Sequence, residues 1–415
     1  MADLSKVVFF TNEYPPNVYG GAGVVVEYLS QELAKLVPLE VRCFGDQNVT
    51  SPNLRVKGYE PWSEATKNTD PRFKGALDAV YRSLSMAKDT IPPGSVVHAH
   101  TWYTQFAGFL AKKLWGAPFV LTTHSLEPLR PWKVEQLGNA YHLSSWIEHN
   151  GITEADAVIA VSQETRNDVL RLYPVDPDKV KVIHNGIDLD VYQPDRAVDA
   201  LVERGVDPDQ PYVLFVGRIT RQKGIIHLVN AIPHIDSSIQ VVLLAGAPDT
   251  PEIGREMTER VAEVSEDRAR HNGASVIWVQ EMLPRDKVIQ YYTNATVFCC
   301  PSVYEPFGII NLEAMACKTA VVASAVGGIP EVVVPGETGI LVDLELKPGT
   351  FDPVDPDKFS RALAEGINEV ALNPALREKF ERKGRQRVEE HFSWTAVAEK
   401  TLELYKTLVA TRDKG

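Results

Sequence analysis

The sequence predicts an α/β protein made of two doubly wound, Rossmann-like domains with a deep inter-domain cleft and C-terminal helices. Three observations carry this. Short, fully apolar runs alternate with amphipathic segments, the pattern of parallel strands covered by helices on both faces. The alternation breaks across residues 185–211 (NGIDLDVYQPDRAVDALVERGVDPDQP), a stretch dense in Asp, Pro and turn signals, and then resumes. Beyond Pro353 no strand-like run remains.

The elements follow in order. Val7 to Phe10 reads as a buried strand, and Val24 to Leu36 as a helix with Val25, Leu29, Leu33 and Leu36 on one face. Val96 to Ala99, Phe119 to Thr122, Ala157 to Val161 and Val180 to Ile183 are the further strands of the first series. The second series opens at Tyr212 with YVLFVG and continues with VVLLAG (241–246), SVIWVQ (275–280), TVFCCPS (296–302) and TAVVAS (319–324). Pro353 to Asp413 reads as two or three helices, the last from Phe392 to Thr411 with Ser393 as its N-cap. In open α/β sheets ligands bind at the carboxyl ends of strands, so the cleft between two such sheets is the expected site.

Composition narrows the function classes. The chain has 415 residues, enough for two or three domains, with 44% hydrophobic and 24% charged residues, which excludes collagen-like and largely disordered chains. Its 43 basic and 55 acidic residues give 43 − 55 = −12, a poor charge for general binding of nucleic acid or anionic membrane. Cys43, Cys299, Cys300 and Cys317 show no C-x-x-C spacing and read as reduced, buried thiols. MADLSKVVFFTNEYPP has no apolar signal region, and no run approaches the roughly 18 apolar residues of a membrane span, so the cytoplasm is the expected compartment.

Several motifs stand at strand ends. TNEYPPNVYGGAG places Gly20, Gly21 and Gly23 just before a helix, where backbone N–H groups can approach an anion; a structural turn is the alternative. FVGRITRQKG sets Arg218 and Lys223 after the first strand of the second series, a fork and a point charge suited to a diphosphate, against the alternative of a solvated basic loop. In PSVYEPFGIINLEAMACKTAVVAS, Glu305 lies in a loop and Glu313 in the helix after it; carboxylates accept from vicinal hydroxyls, and amides at Phe307, Gly308 and Ile309 can donate. Glu313 can equally be a carboxylate stabilised by the helix dipole.

His124 ends the run VLTTH, and LEPLRPWK after it carries Arg130 and Lys133, which suit an anionic acceptor or a solvated loop. His98 and His100 share one face of a strand; with no third ligand in sight, packing or a polar substrate contact is preferred to zinc, and no metal is assigned. The pairs Asp176/Asp178, Asp188/Asp190 and Asp207/Asp209 read as turn residues.

Arg218-x4-Lys223 followed by Glu305-x7-Glu313 resembles the signature of the retaining GT-B glycosyltransferases of family 4. The likeness covers nearly the whole chain through EYPPNVYGGAG, HAHTWYT (98–104), THSLEPLRPWK (123–133), AVIAVS (157–162), HNGID (184–188) and GGIPEVV (327–333). These strings look like those of the short bacterial enzymes of glycogen-synthase or α-maltose-1-phosphate-synthase type. Tyr19 departs from larger glycogen synthases, which carry K-x-G-G there.

The resemblance implies an acceptor-side domain over residues 1–190, a nucleotide-sugar domain over 191–390, and a helix over 391–415 packing back on the first domain. It implies that Gly20 and Gly21 lie near the donor phosphates, that Arg218 and Lys223 clamp the diphosphate, and that His124 lies beside the transferred sugar. Glu305 and the amides of Phe307 to Ile309 would meet the donor sugar, Glu313 the ribose, and Glu281 the region of the base. The expected reaction moves glucose from ADP-glucose to an α-glucan or glucose 1-phosphate with α-1,4 linkage, in glycogen biosynthesis, without a cofactor; a homodimer is compatible with it. The alternatives are another nucleotide sugar or acceptor (mannosyl, sucrose- or trehalose-type), a nucleotide-sugar epimerase or hydrolase on the same fold, and a non-catalytic glucan-binding protein.

Overall fold

A computed structural model describes residues 4–18, 20–246 and 248–412, and Tyr19 therefore lies outside the described residues. The chain divides into two units: Met1–Gly186 with Trp394–Gly415, and Ile187–Ser393.

In the first unit, β1 (Lys6–Thr11), β2 (Leu39–Phe44), β3 (Asn48–Ser51), β4 (Leu54–Tyr59), β5 (Ser95–His100), β6 (Phe119–Thr123), β7 (Ala157–Ala160) and β8 (Val180–Val182) form one sheet. Its order is β3-β4-β2-β1-β5-β6-β7-β8. All neighbours run parallel except the β3–β4 hairpin. Val7 to Phe10 are fully buried because helices cover both faces of a parallel sheet. The order reverses beside β1, between β2 and β5, so the loops leaving β1 and β5 flank a crevice.

Three of these strands escape a search for apolar runs. β2 (LEVRCF) buries an ion pair, with Arg42 Nε 2.7 Å from Glu40 Oε1. β3 is exposed throughout, and β4 mixes buried and accessible positions. The first helix spans Gly21–Ala34, starting and stopping before the apolar limits Val24 and Leu36; Gly20 is extended and Leu36 is exposed. The C-terminal helix, Trp394–Arg412, belongs to this unit: Trp394 stacks on Tyr28 with ring centroids 5.9 Å apart, and Tyr405 is buried against β5.

In the second unit, β9 (Tyr212–Arg218), β10 (Gln240–Gly246), β11 (Val276–Val279), β12 (Val297–Cys300), β13 (Val321–Ser324) and β14 (Gly339–Val342) form a parallel sheet of order β11-β10-β9-β12-β13-β14. Here the order reverses at β9, between β10 and β12. β14 (GILV) opens on a glycine and is only half-buried at Ile340 and Leu341, so it does not read as a buried apolar run. The helices Pro356–Ala371 and Pro374–His391 follow, and Phe359, Leu363, Ile367, Val370 and Phe380 join the core against the sheet.

All four cysteines are buried free thiols, with burial pushing Cys43 and Cys317 up to about 12. The Asp-x-Asp strings are turns: Asp176, Asp188 and Asp207 accept the backbone N–H two residues on at 2.9, 2.8 and 3.0 Å. Among the described residues no helix is long and apolar enough to cross a membrane.

Candidate active site

The switch point of the second sheet gathers the charged residues. β9 ends at Arg218, and the loop after it carries Lys223; the loop after β12 carries Glu305. Lys223 Nζ lies 2.7 Å from Glu305 Oε2, to which Ser302 Oγ donates at 3.3 Å. Burial opposes the charge on Lys223, but the Glu305 carboxylate outweighs it and holds the amine above its ordinary value. Lys223 is thus a fixed cation through the physiological range. Arg218 Nη1 sits 3.1 Å from Asp249 Oδ1, with the guanidinium 38% exposed and Asp249 buried.

Two glycines let the backbone close around this set. Gly224 has φ +61°, and a Cβ there would lie 2.0 Å from the Pro301 carbonyl oxygen. Gly327 has φ +54°, and its Cβ would lie 2.0 Å from the Glu305 carbonyl oxygen, which accepts the Gly328 N–H at 2.9 Å. Both conformations favour glycine.

The helix Ile309–Ala316 begins after Gly308, a left-handed residue with φ +92°. Phe307 is buried edge-on to Phe392, 6.0 Å between centroids. Gly308 and Ile309 stand at the helix start, where backbone N–H groups point outward. Glu313 accepts the Tyr192 hydroxyl at 2.8 Å and the Tyr292 hydroxyl at 2.9 Å. Burial raises its carboxyl pKa against the lowering effect of both phenols. Glu281 stands apart from this set: it follows β11, is exposed, and pairs with Arg204 at 2.5 Å.

In the first unit, the Gly20 N–H donates to Glu13 Oε2 at 2.9 Å, and a Cβ at Gly23 would lie 2.8 Å from the same oxygen. A buried carboxylate thus already occupies the glycine turn. His124 follows β6, and its Nε2 lies 3.1 Å from Nδ1 of His100. Arg130 donates to Ser125 Oγ at 3.0 Å and lies 3.4 Å from the buried Glu127, while its Nε has no partner. Lys133 opens the short helix Lys133–Leu137.

The sequence reading did not pick out Glu13, Tyr192, Asp249, Tyr292 or Ser302. Asp249 stands three residues past the strand VVLLAG, so the strand-end rule that flagged Arg218 reaches it. Tyr192 lies in the segment read as an inter-domain crossing, and no sequence signal marks it as a partner of Glu313.

Residues 19–191 match the family model described as Glycosyltransferase Family 4, and residues 200–387 match Glycosyl transferases group 1. An α-maltose-1-phosphate synthase of Mycolicibacterium smegmatis is 48% identical over 98% of this chain and 100% of its own length. The chain belongs to the family-4 glycosyltransferases. As one of them it is a hexosyltransferase, and its two parallel α/β units have the GT-B fold. Among solved structures, the sucrose-phosphate synthase of Thermosynechococcus elongatus superposes with TM-score 0.75 at 26% identity, covering 98% of this chain and 100% of that one. The catalytic domain of Arabidopsis thaliana starch synthase IV, bound to ADP and acarbose, does so with TM-score 0.72 at 20% identity, covering 98% and 100%.

Proposed function

We propose that this glycosyltransferase moves glucose from ADP-glucose to glucose 1-phosphate, with retention and an α-1,4 linkage, giving maltose 1-phosphate as a building block for glycogen-type α-glucan. The observation that carries the choice of acceptor is the 48% identity to an α-maltose-1-phosphate synthase along the full length of both chains. The second-unit site fits the donor half of that chemistry. Arg218 and Lys223 offset the charge that develops on the leaving ADP, Glu305 accepts from sugar hydroxyls, and Glu313 from the ribose.

The bond from the anomeric carbon to the diphosphate oxygen breaks first, leaving an oxocarbenium-like sugar. The acceptor hydroxyl then attacks the same face, and its proton passes to the departing diphosphate. Positioning and preorganised charge supply the rate, with no side-chain nucleophile. In the first unit we assign His124 to the transferred sugar, and Arg130 and Lys133 to the acceptor phosphate.

The test incubates the protein with ADP-glucose and either glucose 1-phosphate or glycogen, following ADP release and product mass. A phosphorylated disaccharide supports the proposal. Glycogen elongation alone makes the protein a glycogen synthase, and no ADP with either acceptor rejects the donor or both acceptors.

A further inference from the structure

His100 is fully buried at the end of β5, and its ring lies nearly parallel to that of His124, 25° between planes and 5.4 Å between centroids. The contact runs from His100 Nδ1 to His124 Nε2 at 3.1 Å, while His100 Nε2 is buried without a partner. The ring is boxed in. His98 lies 4.1 Å away and Phe9 4.9 Å, centroid to centroid. His98 is itself tied at both nitrogens, Nδ1 2.5 Å from the Tyr405 hydroxyl and Nε2 2.7 Å from the Thr122 hydroxyl.

Burial keeps both facing imidazoles neutral, lowering His124 to about 4 and His100 well below its ordinary value. One proton therefore lies in the contact, and it belongs to one ring or the other. If His124 donated, His100 would carry its N–H on Nε2, a buried donor with no hydrogen-bond partner. If His100 donates from Nδ1, its Nε2 is left as a bare lone pair. Orphaned buried N–H groups are the rarer defect.

We propose that His100 is a positioning residue for His124: it donates Nδ1–H to His124 Nε2 and so fixes His124 as the Nδ1–H tautomer, leaving that N–H as the ring's remaining donor for a substrate oxygen. The inference rests on the reading of His124 as the group that meets the transferred sugar. A histidine held in the wrong tautomer keeps its place but presents a lone pair where a donor is needed.

The first measurement is two-bond proton–nitrogen correlation on the full chain labelled with ¹⁵N-histidine, the His124 signals being assigned by their loss in His124→Gln. The expected pattern is a protonated Nδ1 and a bare Nε2; the reverse overturns the assignment. It needs no His100 variant, so it stands even if such a variant fails to fold. The second measurement compares His100→Asn with His100→Leu. The asparagine amide nitrogen can replace Nδ1–H, and kcat should stay within about threefold, whereas leucine should lower kcat about tenfold or more, as a lost tautomer does, with donor KM little changed. An unchanged kcat in His100→Leu overturns the positioning role. The expected tautomer together with an unchanged kcat in His124→Gln rejects His124's part in the reaction, and with it the role of His100, while leaving the hydrogen bond established.

Discussion

Arg218 and Lys223 each meet a carboxylate, but in different surroundings: Arg218 Nη1 is 3.1 Å from Asp249 with its side chain 38% exposed, and Lys223 Nζ is 2.7 Å from Glu305 with its side chain 22% exposed. Removing either cation should nevertheless cost both activity and stability. Arg218→Ala leaves the Asp249 side chain, 6% exposed, without its cation, so the melting temperature should fall while kcat/KM drops about 10²–10³-fold, the scale of losing one preorganised charge contact. Lys223→Ala likewise leaves Glu305 buried without its cation, so it should lower both activity and melting temperature. Steady-state kinetics with thermal melts read the two effects in each variant. A loss below about fivefold in Arg218→Ala would count against the diphosphate clamp.

Glu313 offers a prediction on binding rather than chemistry. Its carboxylate is held by Tyr192 and Tyr292, so its position is set before any ligand arrives. A contact to ribose is the same in ground and transition states, and losing it raises KM and spares kcat. Glu313→Gln keeps an acceptor oxygen for one tyrosine but lacks the charge; it should raise donor KM about tenfold, the worth of one charge-assisted hydrogen bond. A fall in kcat at constant KM would move Glu313 from the ribose to the reacting centre.

Much of this was legible in the sequence, and the gaps have physical causes. Strands buried on both faces announce themselves, and β1, β5, β6, β9, β10 and β12 coincide with apolar runs. β2 was hidden because Glu40 and Arg42 neutralise each other inside the sheet, which no hydropathy pattern reveals. Arg218 at the end of β9, Lys223 and Glu305 in the loops after β9 and β12, and Glu313 in the helix that follows are positions to which the strand-end rule points. Tyr192 and Tyr292 are not, because their partner Glu313 lies 121 and 21 residues away and only folding brings them together. The glycine turn differs again: its sequence is compatible with an anion site and with a structural turn, and the Gly20 N–H donates to the Glu13 carboxylate.

Gly224 tests how tightly the loop around Lys223 is built. With φ +61° and a Cβ position 2.0 Å from the Pro301 carbonyl oxygen, alanine meets both a strained conformation and a backbone clash. The left-handed strain alone amounts to about 1–2 kcal/mol, and the clash adds to it. Gly224→Ala should therefore lower stability by more than about 2 kcal/mol in chemical denaturation and weaken donor binding, since Lys223 is its neighbour. Gly205→Ala is the control: its φ is +79° but nothing lies within 4 Å of its Cβ, so only the strain should be measured.

Glu148 should make the protein less stable as pH rises. Its carboxyl is buried beside Glu127, accepting the Glu127 N–H at 2.7 Å and the Tyr173 hydroxyl. Burial pushes its pKa up and the charge of Glu127 adds to this, against the lowering effect of the hydrogen bonds. The folded pKa thus lies above the unfolded value of 4.5, and between the two the native state binds more protons than the unfolded chain. Stability then falls with rising pH across that window, by at most about 1.4 kcal/mol per pH unit. Glu148→Gln keeps an acceptor for the Glu127 N–H and cannot ionise, so its stability should lack this slope. Denaturation series from pH 5 to pH 8 should show the variant gaining on wild type as pH increases. Parallel curves would mean that Glu148 is ionised in the folded protein throughout, with Arg130, whose guanidinium already reaches toward Glu127, carrying more of the balancing charge than its 3.4 Å contact implies.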